Sequence, residues 1–78
     1  MMRDVGRAPY ENLANAIILF AVKDYRKAMR TLRRYPEAFY AGIRRDEVER
    51  FFLSDWFAKL TTLDGENLMN RLREEVAA

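Results

Sequence analysis

The hydrophobic positions of the chain predict helices rather than strands. Between Tyr10 and Arg34 apolar side chains recur at steps of three and four residues, the period of one helix face. The main stripe contains Leu13, Ile17, Phe20, Ala21, Ala28 and Leu32, and Ala14, Ile18, Tyr25 and Met29 widen it. Pro9 suits the first position of a helix, where its missing N–H costs nothing. The pattern therefore predicts one long helix from Pro9 to about Arg34.

The sequence after Arg34 contains several signals for a break. Pro36 ends the helix because the residue before a proline disfavours α geometry. Residues 37–41 suit a short helix, after which Gly42 predicts a stop or a hinge. Asp46, with Glu49 three residues later, is typical of the cap of a new helix.

Two further caps divide the last third of the chain. Ser54 is placed to start a short helix over DWFAKL, and Asp64 is placed to start the last helix, from about Gly65 to Val76. Together these signals predict an all-α fold, a small bundle of one long N-terminal helix and three shorter helices, or four if residues 37–41 form their own. We expect residues 1–8 to be a flexible N-terminal arm and residues 9–78 to form a single helical domain.

The composition argues against catalysis and cofactor chemistry. Cysteine and histidine are both absent from the 78 residues, which excludes disulfides, thiolate or imidazole metal sites and the commonest general base. Ser54 has no nucleophile elbow or neighbouring base. The acidic pairs at Asp46 and Asp64 lack the ligand count of a calcium loop. We therefore predict no enzyme, no cofactor and no metal site.

Hydropathy also limits the location of the protein. The longest apolar stretch, Ala16 to Val22, is seven residues long, whereas a membrane-spanning helix needs about 20. The first residues carry charges with no apolar run after them, unlike a secretory signal. The sequence predicts a protein that does not span a membrane, and the absence of cysteine fits a cytoplasmic location.

The net charge of +2 is unevenly distributed, and this is the best functional signal. Residues 23–45 hold eight basic and two acidic side chains, a local charge of +6, whereas residues 46–78 carry −4. The basic side chains form what we call the basic ridge: Lys23, Arg26, Lys27, Arg30, Arg33 and Arg34, extended by Arg44 and Arg45. Such a ridge could bind nucleic-acid phosphates, an acidic protein surface, or acidic residues of the same chain.

The aromatic residues of the chain fall into two groups. Most of Phe51, Phe52, Trp56 and Phe57 are expected in the core, with one edge of Trp56 exposed, because each buries a large apolar area and their acidic neighbours would repel phosphates. The tyrosines Tyr10, Tyr35 and Tyr40 are better interface candidates. Residues 46–76 contain helices joined by short turns, as a helix-turn-helix does. A recognition helix, however, offers polar or basic side chains at its N-terminus, and the last helix begins without basic side chains.

Two stretches carry a resemblance to other proteins. They are AVKDYRKAMRTLRR, with Ala21, Asp24, Tyr25 and Arg26, and EVERFFLSDWFAKLTTLDGENLMNRLREE, with the block Glu47 to Phe57 and Leu63 to Gly65. This pattern resembles small uncharacterised proteins of bacterial prophages and integrative mobile elements, especially of Firmicutes. The resemblance implies a mobile-element setting, and hence the cytoplasm of a bacterial host cell, without assigning a role to any residue.

Three functions are consistent with these observations. The leading hypothesis is a non-enzymatic binding protein of a mobile element that engages nucleic acid or an acidic protein surface through the basic ridge. The second is an inhibitor of a bacterial defence system, similar to anti-CRISPR proteins, that acts by protein–protein binding. The third is a structural homodimer through Ile17, Ile18 and Phe20, because this part of the long helix is apolar nearly all round.

Overall fold

Four helices make up the protein in the computed structural model, which describes residues 9–77. They are α1 (Pro9–Arg34), α2 (Phe39–Phe52), α3 (Asp55–Leu60) and α4 (Gly65–Ala77), and no strand occurs in this range. The predicted all-α bundle of one long and three shorter helices is confirmed. The arm predicted over residues 1–8 lies outside the described residues, as does residue 78.

Helix α1 begins and ends where the sequence predicts. The Tyr35 N–H donates to the Thr31 carbonyl at 2.7 Å, and the Ala38 N–H donates to the Tyr35 carbonyl at 3.0 Å. The chain reverses through Pro36 in this turn, and α2 then runs back along α1. The two helices form the most extensive helix pair of the bundle.

Helix α2 is continuous, so the predicted breaks at Gly42 and Asp46 are wrong. Gly42 lies inside the helix, with its N–H donating to the Ala38 carbonyl at 3.1 Å. Asp46 caps nothing and instead accepts a bond from Arg45 at 2.9 Å. A glycine costs only about 1 kcal/mol inside a helix, and packing along α1 outweighs that cost.

The caps predicted at Ser54 and Asp64 are confirmed. The Ser54 hydroxyl accepts a hydrogen bond from the Phe57 N–H at 3.1 Å, and the Asp64 carboxylate accepts one from the Asn67 N–H at 3.1 Å. Gly65 then begins α4 directly against the end of α2. A Cβ atom at position 65 would lie 1.9 Å from the Phe52 carbonyl oxygen, so only glycine allows this approach.

The core lies between α1, α2 and α4, with α3 closing one end. Its most buried large side chains are Tyr25, Phe52 and Phe57. Smaller contributions come from Ala14, Ile18, Ala28, Val48, Met69, Leu72 and Val76. The rings of Phe52 and Phe57 meet edge to face at 5.7 Å, an arrangement that favours aromatic pairs.

The register of α1 differs from the main stripe that the sequence predicts. Leu13 and Phe20 are 63% and 66% exposed, whereas the widening stripe, with Ile18 and Tyr25, faces the core. Both stripes have helical spacing, so periodicity alone does not choose between them. Trp56 is 56% exposed, more than the single wet edge we expected.

Candidate functional site

A polar triad at the edge of the apolar core joins three helices, with Tyr25 buried, Glu49 partly buried and Arg73 exposed. Tyr25 of α1 donates its hydroxyl proton to Glu49 of α2 at 2.7 Å. Arg73 of α4 donates to the same Glu49 oxygen at 2.8 Å and to the Tyr25 hydroxyl oxygen at 3.2 Å. Since Tyr25 is fully buried, these bonds satisfy a hydroxyl that would otherwise destabilise the core.

The pKa values of the triad follow from these contacts. Burial raises the pKa of Glu49, but the hydrogen bonds from Arg73 and Tyr25 outweigh it, and the pKa lies below its ordinary value. Burial and the bond to Glu49 raise the pKa of Tyr25. At neutral pH the triad therefore consists of a neutral phenol, a carboxylate and a guanidinium, which together link α1, α2 and α4.

The basic ridge divides into two parts according to the direction in which each side chain points. Arg26 and Arg33, the flanking arginines, lie on the α4 side of α1. Arg26 pairs with Glu75 through bonds of 2.7 and 3.1 Å, and Arg33 donates to the Val76 carbonyl. The bond from Arg26 lowers the pKa of Glu75. These two arginines therefore fasten the end of α4 to α1.

The α2 members of the ridge are also engaged within the chain. Arg44 contacts Asp24 at 3.1 Å and Glu47 at 3.5 Å. Arg45 pairs with its neighbour Asp46 at 2.9 Å. Among the acidic residues of the chain, Asp46, Glu47 and Glu75 pair with the ridge, whereas Glu49 pairs with Arg73.

The remaining four side chains form the outer basic row: Lys23, Lys27, Arg30 and Arg34. They fall within an arc of about 60° of α1, on the side opposite Tyr25, and all four are exposed. Within residues 9–77 none of them makes a hydrogen bond or an ion pair. Arg34 instead places its guanidinium 6.0 Å from the Tyr35 ring centroid. The row is the part of the ridge that remains available to a partner.

Exposed aromatic rings lie directly beside the outer basic row, at the turn between α1 and α2. We call Tyr35, Phe39 and Tyr40 the aromatic corner; they are 61%, 70% and 81% exposed. The Phe39 and Tyr40 rings meet edge to face at 5.3 Å. Tyr40 lines one groove together with Lys27 and Arg44. The interface role of Tyr35 and Tyr40 stays a prediction; Phe39, which the sequence did not single out, is exposed beside Tyr40.

The N-terminal half of α1 carries a different, apolar surface. Ile17, Phe20 and Trp56 line a groove between α1, α2 and α3, and Phe20 is 66% exposed. Ile18, by contrast, is only 7% exposed and packs in the core. The prediction that Ile18 takes part in a homodimer interface is therefore wrong, because the other helices of the bundle already cover its side chain.

Among the described residues, neither the pattern of a metal site nor that of a membrane-spanning helix occurs. Within residues 9–77 no three acidic side chains gather into a potential metal site. None of the helices in this range combines the length and apolar character that crossing a bilayer requires. No protein-family model matches the chain, and comparisons with curated proteins and with solved structures gave no significant match.

Proposed function

We propose that this is a non-enzymatic nucleic-acid-binding protein that engages phosphates through the outer basic row. The observation that carries the proposal is the division of the basic ridge. Arg26, Arg33, Arg44 and Arg45 have acceptors within the chain, whereas the four residues of the row project outwards with no hydrogen-bonded or ion-paired acceptor among residues 9–77. Cations without a hydrogen-bonded acceptor that share one exposed face are the electrostatic footprint of a phosphate-binding surface.

The dimensions of the row suit a strand of nucleic acid. A helix rises about 1.5 Å per residue, so Lys23 and Arg34 are separated by about 16 Å along the axis, the length of several nucleotides. Each lysine or arginine that contacts a phosphate releases condensed counterions, and the affinity therefore falls steeply with salt.

The neighbouring aromatic corner favours nucleic acid over an acidic protein surface. An acidic protein would be satisfied by cations alone, whereas nucleic acid also offers π-faces for contact with exposed rings. The cations and the rings occupy one continuous surface, since Arg34 approaches Tyr35 and Lys27 shares a groove with Tyr40. We place this activity in the bacterial cytoplasm in a mobile-element setting, on the strength of the resemblance described above.

Charge reversal tests the proposal. The variant K27E/R30E/R34E should bind oligonucleotides at least about 100-fold more weakly at low salt, because three phosphate contacts become repulsive. A matched control, R50E/K59E/R71E, makes the same change in net charge at exposed positions on α2, α3 and α4. Fluorescence anisotropy measures both, and circular dichroism checks that each folds. Equal loss in the two variants would show that net charge, rather than the row, governs binding.

A protein-binding role through the apolar surface is the second candidate, favoured by the exposure of Phe20 and Trp56. It includes the inhibitor hypothesis and a homodimer in which Ile17 and Phe20 take part without Ile18. Sedimentation equilibrium tests the dimer, since a mass that stays monomeric at every concentration removes it. Replacing Phe20 by Ser is the corresponding disruptive change.

A further inference from the structure

We infer that the preferred ligand is single-stranded nucleic acid, with bases stacking on the aromatic corner while the outer basic row holds the phosphates. This inference rests on the proposed function and adds the strand form and the residues that recognise it. Surfaces that bind single strands combine a positively charged track with aromatic side chains that stack successive bases. Both parts are present here, and they adjoin.

The exposure of the rings is the first argument. Folding normally buries aromatic side chains because each removes a large apolar area from water. Phe52 and Phe57 follow that rule, at 2% and 1% exposed, whereas Phe39 and Tyr40 are 70% and 81% exposed on the same helix as Phe52. The aromatic corner therefore contributes little to the core, and its rings remain accessible to a ligand.

The chemistry around the rings is the second argument. Arg34 lies near Tyr35, Lys27 borders the groove that Tyr40 lines, and Arg44 closes the same groove. Bases in a duplex have their faces covered by their neighbours, whereas those of a single strand are accessible for stacking. A surface with exposed rings beside cations therefore distinguishes single strands from duplexes, which a basic face alone does not.

One acidic residue in the turn provides a test of opposite sign. Glu37 lies between Tyr35 and Phe39, is exposed, and makes no ion pair within the described part of the chain. A phosphate backbone that passes over the aromatic corner would be repelled by its carboxylate. Replacing Glu37 by Gln should therefore strengthen binding a few-fold, and a matched exposed change, Glu66→Gln at the start of α4, should change it less.

The decisive experiment compares ring variants on two single-stranded ligands and one duplex. Anisotropy titrations use a labelled oligothymidylate of about 20 nucleotides, an oligouridylate of the same length, and a duplex of the same length. Tyr40→Leu should weaken single-strand binding about 5-fold or more, in keeping with the loss of one stacked base, and should leave duplex binding within about two-fold. Tyr40→Phe should retain affinity because it keeps the π-face. Tyr10→Ala, at an exposed tyrosine near the other end of α1, is the matched control.

The outcomes separate this inference from the proposed function. A wild-type protein that binds single strands and duplex equally, with no loss in Tyr40→Leu, would overturn the single-strand preference and leave phosphate binding by the outer basic row intact. A wild-type protein that binds none of the oligonucleotides would overturn both. Equal losses in Tyr40→Leu and Tyr40→Phe would also contradict stacking, because the phenylalanine ring retains the face that a base requires.

Discussion

The two sides of α1 carry similar numbers of polar groups but use them differently. On the side that faces the bundle, Tyr25, Arg26 and Arg33 all bond to groups of α2 or α4. On the solvent side, Lys23, Lys27 and Arg30 make no such bond within residues 9–77. The comparison shows that a cluster of basic residues in the sequence can serve two purposes at once, and that direction around the helix separates them.

This difference leads to a simple expectation. Changes on the bundle side should alter stability and leave ligand affinity largely unaffected, whereas changes on the solvent side should do the reverse.

Gly65→Ala should cause the largest loss of stability. Its Cβ would meet the Phe52 carbonyl oxygen at 1.9 Å and the Phe57 ring at 3.2 Å, so α4 must move away from α2. Overpacking of this kind costs about 1–3 kcal/mol or more, and we expect the upper end because one obstacle is backbone. Urea unfolding followed by circular dichroism measures the change in the free energy of unfolding.

The matched control for this change is Gly42→Ala, in the middle of α2. Nothing lies within 4 Å of the added Cβ, and alanine is the better helix former by about 1 kcal/mol. We therefore expect Gly42→Ala to stabilise the protein. A stable Gly65→Ala protein would show that the contact between α2 and α4 is looser than the structure has it.

Glu49→Ala should have the next largest effect on the bundle side. Among residues 9–77, Glu49 is the only acceptor of the Tyr25 hydroxyl proton, since Arg73 can only donate to that hydroxyl. A buried donor without a partner costs about 1–3 kcal/mol. Glu74→Ala, at an exposed acidic residue of α4, should change the free energy of unfolding very little in the same measurement. Equal effects of the two changes would show that the triad does not support the fold.

The pH dependence of stability provides a smaller and independent test of the triad. Because folding lowers the pKa of Glu49 from its ordinary value of 4.5, its contribution is fully present above that value and is lost as the pH falls through the lower folded value. The pKa of Glu75, at the surface, is also lowered, so this residue changes stability with pH in the same direction. Glu49→Gln should therefore lose less stability than the wild type between neutral pH and about pH 3. If the free energy of unfolding fell equally in the two proteins across this pH range, the prediction would be contradicted.

Much of the fold could be predicted from local chemistry. Pro9 and Pro36 delimit α1, and the Ser54 and Asp64 side chains cap α3 and α4, because these effects depend on residues close in sequence. The continuity of α2 through Gly42 could not be predicted in the same way. It depends on packing against α1, and that packing outweighs the local preference for a break.

The candidate site was only partly accessible from the sequence. Helical spacing alone places Lys23, Lys27, Arg30 and Arg34 on one face. The engagement of Arg26 with Glu75 joins residues 49 positions apart, and no local rule indicates such a contact. The triad had one available signal, since a tyrosine in an apolar stripe usually needs a hydrogen-bond partner when it is buried.

The separation of the two sides of α1 is tested most directly by the salt dependence of binding in two matched variants. K27Q/R30Q neutralises two members of the outer basic row, and R26Q/R33Q neutralises the two flanking arginines, so both lose the same charge from the same helix. For binding to a single-stranded oligonucleotide, log affinity falls linearly with log salt concentration, and each phosphate contact contributes about 0.7 to the steepness of that line. Loss of two contacts should therefore make the line less steep by about 1.4 in the first variant. In the second variant the steepness should stay close to the wild-type value, whereas the urea concentration at the midpoint of unfolding should be lower. Equal changes of slope in the two variants would contradict the division of the basic ridge into a structural and a binding part.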